Sequence, residues 1–320
     1  MNILCLSPID ESALERMRRD HRVTVAANGD HEHLESLVRD REVVIFRSGV
    51  SVSGEFIDDS PRLKLLIRAG SGLDNVDVER ARERDIRLVR IPGPGAQAVA
   101  ELTFALMLSV ARNVTLADRL LRQGHWPKKE LGGPLLQGKT LGIVGAGNIG
   151  SRVGDLGAAW GMRVLGCVEN PTVECRAALA DRRIELADLD EVVANADFLT
   201  VHVPLTGKTR HLIDADRLAH MKPGAILVNT ARGGVVDEAA LREVLLDGSR
   251  LRGAALDVHG REGEGTHSPL ADLPNVVLTP HIGAMAIDSQ REIGERILRL
   301  LDAFTAGRID AETARGEAVV

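Results

Sequence analysis

The sequence predicts an α/β protein of two doubly wound, parallel-sheet domains, and three observations carry the prediction. Strand-like and helix-like segments alternate almost throughout, as parallel sheets flanked by helices require. At 320 residues, 44% of them apolar, the chain exceeds one ordinary core and suits two domains. In its middle, a glycine-rich turn separates a short apolar run from a stretch of helical periodicity.

In chain order, the runs NILCLSP (2–8), RVTVAA (22–27), VVIFRS (43–48), LKLLIRAG (63–70) and IRLVRI (86–91) read as strands, enough for one small domain. From about 96 to 121 the chain reads as one long helix. Val99, Leu102, Phe104, Leu106, Met107, Leu108 and Val110 occupy more than one of its faces, so burial against a second domain or subunit is expected. A second series of strands follows: TLGIV (140–144), RVLGCVE (163–169), ADFLTVHVP (196–204), AILVNTA (225–231), GAALDV (253–258) and NVVLTPH (275–281). Residues 284–306 place Ile293, Ile297, Leu300, Leu301 and Phe304 at helical spacing, which reads as an amphipathic helix returning to the first domain; the polar stretch 311–320 reads as frayed. The expected domains are 1–97 plus 284–320 and 98–283, with the substrate in the cleft they form and hinges near Gln97 and Ala284.

Composition narrows the function. The net charge is −6 with no basic block, which argues against a nucleic-acid partner. No run of 18 or more apolar residues appears, so no membrane span is expected, and the N-terminal residues read as a strand and helix rather than a signal peptide. Cys5, Cys167 and Cys175 are too few and too scattered for a disulfide framework or a zinc site, so no metal and a cytoplasmic location are expected.

The turn itself is G-A-G-N-I-G. Gly145 permits a tight turn, Gly147 lets a pyrophosphate approach the backbone, and Gly150 lets helix and strand pack closely. Asn148 and Ile149 open the helix, whose first N–H groups face the phosphates. The next strand ends in Glu169, 19 residues past Gly150, where a carboxylate accepts ribose hydroxyls and repels a 2′-phosphate. This favours NAD over NADP.

Ligands of open parallel sheets lie beyond the carboxyl ends of the strands. There the sequence places Arg232, Asp257, Glu262 and His281. An arginine can grip a substrate carboxylate in a bidentate fork, an imidazole can take a hydroxyl proton, and a carboxylate can orient that imidazole. Together they suit oxidation of a 2-hydroxy acid. Each also has a plainer reading. Arg232 could pair with Glu238, Asp257 could cap a loop, Glu262 shares the loop GREGEG with Glu264, and His281 could be a hydrogen-bonded core residue. His259, on the same strand face as Asp257 by period two, and His202 are rival imidazoles; His31 with His33 reads as an exposed pair rather than a metal site.

The order of motifs resembles the D-2-hydroxyacid dehydrogenase family, which includes D-3-phosphoglycerate, glycerate and formate dehydrogenases. The matching stretches are RAGSGLDNVD (68–77), GKTLGIVGAGNIG (138–150), ADFLTVHVPLT (196–206), MKPGAILVNTARGGVVDEAAL (221–241), GAALDV (253–258) and LPNVVLTPHIG (273–283). RSGVSVSGEFID (47–58) is similar to a segment of the phosphoglycerate dehydrogenase branch, whose regulatory domain is not expected here. The resemblance implies a Rossmann NAD-binding domain inserted in a smaller flavodoxin-like substrate domain, NAD as cofactor, a small 2-hydroxy or 2-keto acid as substrate, and a homodimer. It also implies that Arg232, Glu262 and His281 are the catalytic trio and that Ser71 and Gly72 help hold the substrate carboxylate through backbone N–H groups; Arg47 is a further substrate-binding candidate. His202, Pro204, Thr230, Ala231, Asp257 and Gly283 are implied to border the cofactor. Three positions depart from the family's pattern: Val168 stands where an aspartate is usual, with the acid one residue on at Glu169; Gly263 replaces a proline; and HIGAMAIDS lacks a glycine and a threonine. Arg47, Arg68 and Arg90 offer positive charge to a phosphorylated or phosphonate-bearing substrate. Two other readings share the glycine turn: an NAD(H)-sensing, corepressor-like protein, and an S-adenosylmethionine site, for which the strand-end residues have no use.

Overall fold

The structure is a computed structural model that describes residues 1–26 and 36–309. Ala27, His31, His33 and the stretch 311–320 lie outside the described residues. The chain divides into two compact units, Met1–Gly95 with Ala284–Val320, and Ala96–Gly283.

The first unit holds β1 (Asn2–Cys5), β2 (Arg22–Val25), β3 (Val43–Phe46), β4 (Leu65–Arg68) and β5 (Arg87–Arg90) in the order β2-β1-β3-β4-β5. Every neighbouring pair is parallel. Apolar residues run continuously along the inner strands because both faces are covered. Ile3, Val43, Ile45, Leu65 and Ile67 pack on one face with Ile293, Ile297, Leu300 and Leu301 of the helix Ile287–Thr305. Leu4, Val44, Phe46, Leu66 and Leu88 pack on the other with Phe56, Ile57 and Ala81, from the helices Gly54–Asp58 and Val78–Glu83. The strand order is that of the flavodoxin-like doubly wound sheets.

The second unit holds β6 (Thr140–Val144), β7 (Arg163–Cys167), β8 (Ile184–Leu186), β9 (Phe198–Val201), β10 (Ala225–Asn229), β11 (Leu251–Leu256) and β12 (Val276–Leu278). Their order is β12-β11-β10-β9-β6-β7-β8 with all pairs parallel. The direction of winding reverses between β6 and β9, which is where such sheets open a ligand crevice. Two buried clusters hold the faces, one around Val144, Leu199, Leu227 and Leu256 and the other around Ile143, Phe198, Ile226 and Val228. Fully burying each such side chain contributes about 1.5–3 kcal/mol, so the strand ends project from a rigid base.

Several elements differ from the sequence reading. Apart from β6, which ends at Val144 as read, the strands read from the sequence stop one to three residues early, because the residues at their carboxyl ends turn away into loops: β11 stops at Leu256, leaving Asp257 and His259 beyond it. His259 therefore does not share a strand face with Asp257. The three-residue β8 is absent from the sequence reading, since three residues are too short to show a period. The expected helix 96–121 is two helices, Gly93–Ala111 and Val114–Arg122, broken at Asn113, which sits in the left-handed region at φ 54°. Asparagine tolerates that conformation, and it turns the chain. The helix Gly93–Ala111 is long and apolar enough to cross a membrane by length and composition, although polar residues such as Gln97 and Glu101 interrupt it and 61% of its most apolar 18-residue stretch is buried inside the protein. Ala100, Phe104, Met107, Val110 and Ala111 lie in its buried surface.

Candidate active site

The glycine turn leaves β6 at its carboxyl end. Gly145 has φ +94°, and a Cβ there would lie 2.8 Å from the His202 carbonyl oxygen. Its N–H and that of Ala146 both donate to the Cys167 carbonyl, at 3.1 and 2.9 Å, which folds the turn onto β7. Gly150, in the first turn of the helix Asn148–Ala159, approaches the same loop so closely that a Cβ would lie 2.2 Å from Gly145 O. Gly147 differs: a Cβ there would meet nothing within 4 Å, and it precedes the helix without a side-chain cap. The turn thus presents an open cradle against a helix N-terminus, the arrangement that fits a dinucleotide pyrophosphate. Asn148 accepts from Arg152 Nη1 at 2.8 Å, and Ile149 packs against the core.

The residues bordering the cradle come from the neighbouring strand ends. The ring of His202 contacts the Thr200 hydroxyl through Nε2 at 2.9 Å, and burial pushes its pKa down to about 3, so it is neutral. Pro204 accepts from the Thr209 hydroxyl at 2.6 Å. Glu169, after β7, accepts from Lys208 Nζ at 2.8 Å. The buried hydroxyl of Thr230 meets that of Thr103 at 2.9 Å.

A buried carboxylate organises the turn after β12. Asp257 is 1% exposed, and its Oδ1 accepts from the Thr279 hydroxyl at 2.5 Å and from Ile282 N at 2.9 Å, while Oδ2 accepts from Gly283 N at 2.8 Å. These bonds hold His281 at φ +54°, a left-handed conformation rare for a residue with a side chain. In that position His281 Nδ1 lies 2.8 Å from Glu262 Oε2. The other Glu262 oxygen accepts from His259 N at 3.1 Å, and His259 Nε2 is 3.0 Å from the Thr279 carbonyl. Partial burial raises the Glu262 carboxyl, but the hydrogen bond and charge of His281, with the His259 N–H, outweigh it and set a net value below the ordinary one. Glu262 is therefore ionised near neutrality.

Arg232 follows β10, beside β11 in the sheet. Its Nη1 donates to the Ala231 carbonyl at 2.7 Å. The buried Asn229 ties this corner together, accepting from Ala231 N at 3.0 Å and donating to the Arg232 carbonyl at 3.0 Å. Glu238, the alternative partner suggested by the sequence, accepts instead from Gly260 N. Asn229 and Thr279 are missing from the sequence reading; the one available signal is a polar residue closing an otherwise apolar strand.

In the first unit, three arginines stand at the ends of adjacent strands. Arg68 and Arg90 end β4 and β5 in register, and Arg47 immediately follows β3. Arg68 is 4% exposed, lies 6.0 Å from the Phe46 ring centre, and donates through Nε to the Gly72 carbonyl at 3.0 Å. Arg90 Nη1 reaches the Ser71 carbonyl at 3.4 Å, and the Ser71 hydroxyl donates to Pro92 O at 3.3 Å. The loop bearing Ser71 and Gly72 is thus fixed from below by arginines. Among the described residues no group of three or more His, Cys, Asp or Glu could hold a metal ion.

Residues 104–283 match the NAD binding domain of the D-isomer specific 2-hydroxyacid dehydrogenases. The chain belongs to that family. It is 39% identical to hydroxypyruvate reductase of Thermotoga maritima over 90% of this chain and 92% of that protein. It is 40% identical to D-3-phosphoglycerate dehydrogenase of Methanocaldococcus jannaschii over 97% of this chain but only 58% of that longer protein. Among solved structures, D-lactate dehydrogenase of Aquifex aeolicus, in complex with NAD and lactic acid, is similar at a TM-score of 0.87 and 29% identity, covering 100% of this chain and 99% of that one. In this 2-hydroxyacid dehydrogenase family member the matched domain coincides with the unit that carries the glycine cradle, the Asp257-held turn and the Glu262–His281 pair.

Proposed function

We propose that this protein interconverts a D-2-hydroxy acid and its 2-keto partner using NAD(H), and the 2.8 Å contact of His281 Nδ1 with Glu262 carries the reading. A carboxylate on Nδ1 fixes the proton there and leaves Nε2 as the base. In the oxidising direction His281 Nε2 takes the hydroxyl proton, and Glu262 stabilises the imidazolium that forms. NAD, held by the glycine turn, would supply the hydride acceptor for the carbon bearing that hydroxyl, so that loss of the O–H proton to His281 and of the C–H hydride turns the C–O single bond into a carbonyl. Arg232 grips the substrate carboxylate as a bidentate fork and polarises the carbonyl in the reverse direction.

Two arginines of the first unit support a reading of the substrate class. Burial pushes the pKa of Arg47 down, and among the described residues no carboxylate pairs with it or with Arg90, whose Nε is buried without a hydrogen-bond partner. Cations held in this way favour an anionic group such as phosphate. A phosphorylated 2-hydroxy acid is the reading they support, in keeping with a relative named D-3-phosphoglycerate dehydrogenase. The test is a panel of 2-keto acids with and without phosphate, followed by NADH absorbance. Faster turnover of phosphorylated members supports the reading; preference for glyoxylate or hydroxypyruvate refutes the phosphate assignment while keeping the reaction. No turnover with any member, alongside tight NADH binding, would favour a redox-sensing protein.

We also propose a homodimer. The helix Val114–Arg122 buries none of its residues, and Val114, Leu121, Trp126 and Leu135 are 53%, 57%, 79% and 66% exposed. Apolar side chains gathered on one segment mark an interaction surface. Sedimentation of the wild-type protein and of Trp126→Glu should show a dimer and a monomer respectively.

A further inference from the structure

The ribose end of the dinucleotide site carries a charge arrangement that the preference for NAD alone does not require. Val168 packs against the core, so Glu169 is the carboxylate presented after β7. Its partner Lys208 comes from the loop after β9. In the sheet, β9 and β7 flank β6 on opposite sides, so the ion pair spans the strand end from which the glycine turn departs. The loop bearing Lys208 is fixed by Thr209, whose hydroxyl donates to the Pro204 carbonyl at 2.6 Å and accepts from Thr206 N at 2.8 Å. Both partners are open to solvent, at 84% for the Lys208 side chain and 69% for that of Glu169.

A carboxylate at this position excludes a 2′-phosphate by like-charge repulsion. An ammonium 2.8 Å from that carboxylate cancels much of the repulsion. The exposed pair is itself weak, so exchanging its partners costs little. An unphosphorylated ribose takes Glu169 through its hydroxyls; a 2′-phosphate takes Lys208, for which it is a stronger partner than a carboxylate. We propose that Lys208 lets this site accept a 2′-phosphorylated dinucleotide, so that the protein binds NADP(H) as well as NAD(H), with Lys208 pairing with the phosphate. The inference rests on the dinucleotide reading of the glycine turn.

Calorimetric titration of the full chain with NADH and with NADPH, in the wild type, Lys208→Ala and Lys208→Arg, tests it without recourse to turnover. Wild type should bind both, with NADPH affinity the more sensitive to added salt. Lys208→Ala should weaken NADPH by about tenfold while NADH stays within about twofold, and Lys208→Arg should retain NADPH. Binding of NADH with no measurable NADPH binding in the wild type would overturn the proposal, as would equal losses of both dinucleotides in Lys208→Ala. Failure of the wild type to bind either would overturn the cofactor reading itself, and the proposal with it.

Discussion

The main-chain N–H of His281 donates to the Asp257 carbonyl at 2.8 Å, while the Asp257 carboxylate accepts from the two residues that follow His281. One buried aspartate thus fixes the left-handed backbone that aims the imidazole. Asp257→Ala would leave the N–H groups of Ile282 and Gly283 without their acceptor. The Gly283 N–H is the buried one, and orphaning it costs about 1–3 kcal/mol, so urea unfolding should show a loss of that order. Turnover should fall as well, since the turn can relax; an unchanged midpoint with full activity would remove Asp257 from this role.

His281→Ala removes the base but none of the cradle. Turnover should fall by roughly 10²–10⁴-fold, with NADH affinity nearly unchanged in a binding titration. Normal turnover would eliminate His281 from the mechanism.

Glu262 supplies a pH signature. Its folded-state pKa lies below its unfolded one, so the contribution of ionised Glu262 to stability is fully present above the ordinary value of 4.5 and is lost as pH falls through the folded value. The difference in urea midpoint between wild type and Glu262→Gln should therefore be constant from neutrality down to about pH 5 and shrink below it. A difference independent of pH down to pH 3 would contradict the ion-pair assignment.

Arg232→Lys keeps the charge and loses the fork. The apparent KM for the keto acid should rise and turnover slow, because an ammonium is a point charge that cannot match a planar carboxylate. Equal kcat/KM in wild type and variant would place the substrate carboxylate elsewhere.

The parts of this protein most legible in its sequence are those with a short-range physical signature. The glycine turn is readable because Gly145, Gly147 and Gly150 are each needed for a different local reason, and the inner strands because burial on both faces makes them apolar throughout. What spans the sheet is not legible. Glu262 and Glu264 are equivalent by spacing, and only the contact with His281 separates them. Thr279 meets Asp257 from 22 residues away, and Lys208 meets Glu169 from 39, and neither pairing leaves a local pattern. Asn113 breaks a helix whose apolar content reads as continuous, because the periodicity of side chains does not register one left-handed residue.

Two glycines of the same turn should respond to alanine in opposite ways. At Gly150 a methyl would sit 2.2 Å from Gly145 O and 2.9 Å from Ile143 Cγ2, so the helix Asn148–Ala159 must move off β6. Overpacking of this kind costs about 1–3 kcal/mol, and Gly150→Ala should lower the thermal midpoint as well as dinucleotide affinity. At Gly147 a methyl would meet no protein atom within 4 Å, and φ is −84°, so the fold should tolerate it. The methyl would instead stand where the pyrophosphate approaches. Gly147→Ala should unfold at the wild-type temperature yet bind NADH at least about tenfold more weakly, as expected when a close backbone contact is displaced. Wild-type affinity in Gly147→Ala would mean that the open space above the turn is not where the phosphates sit.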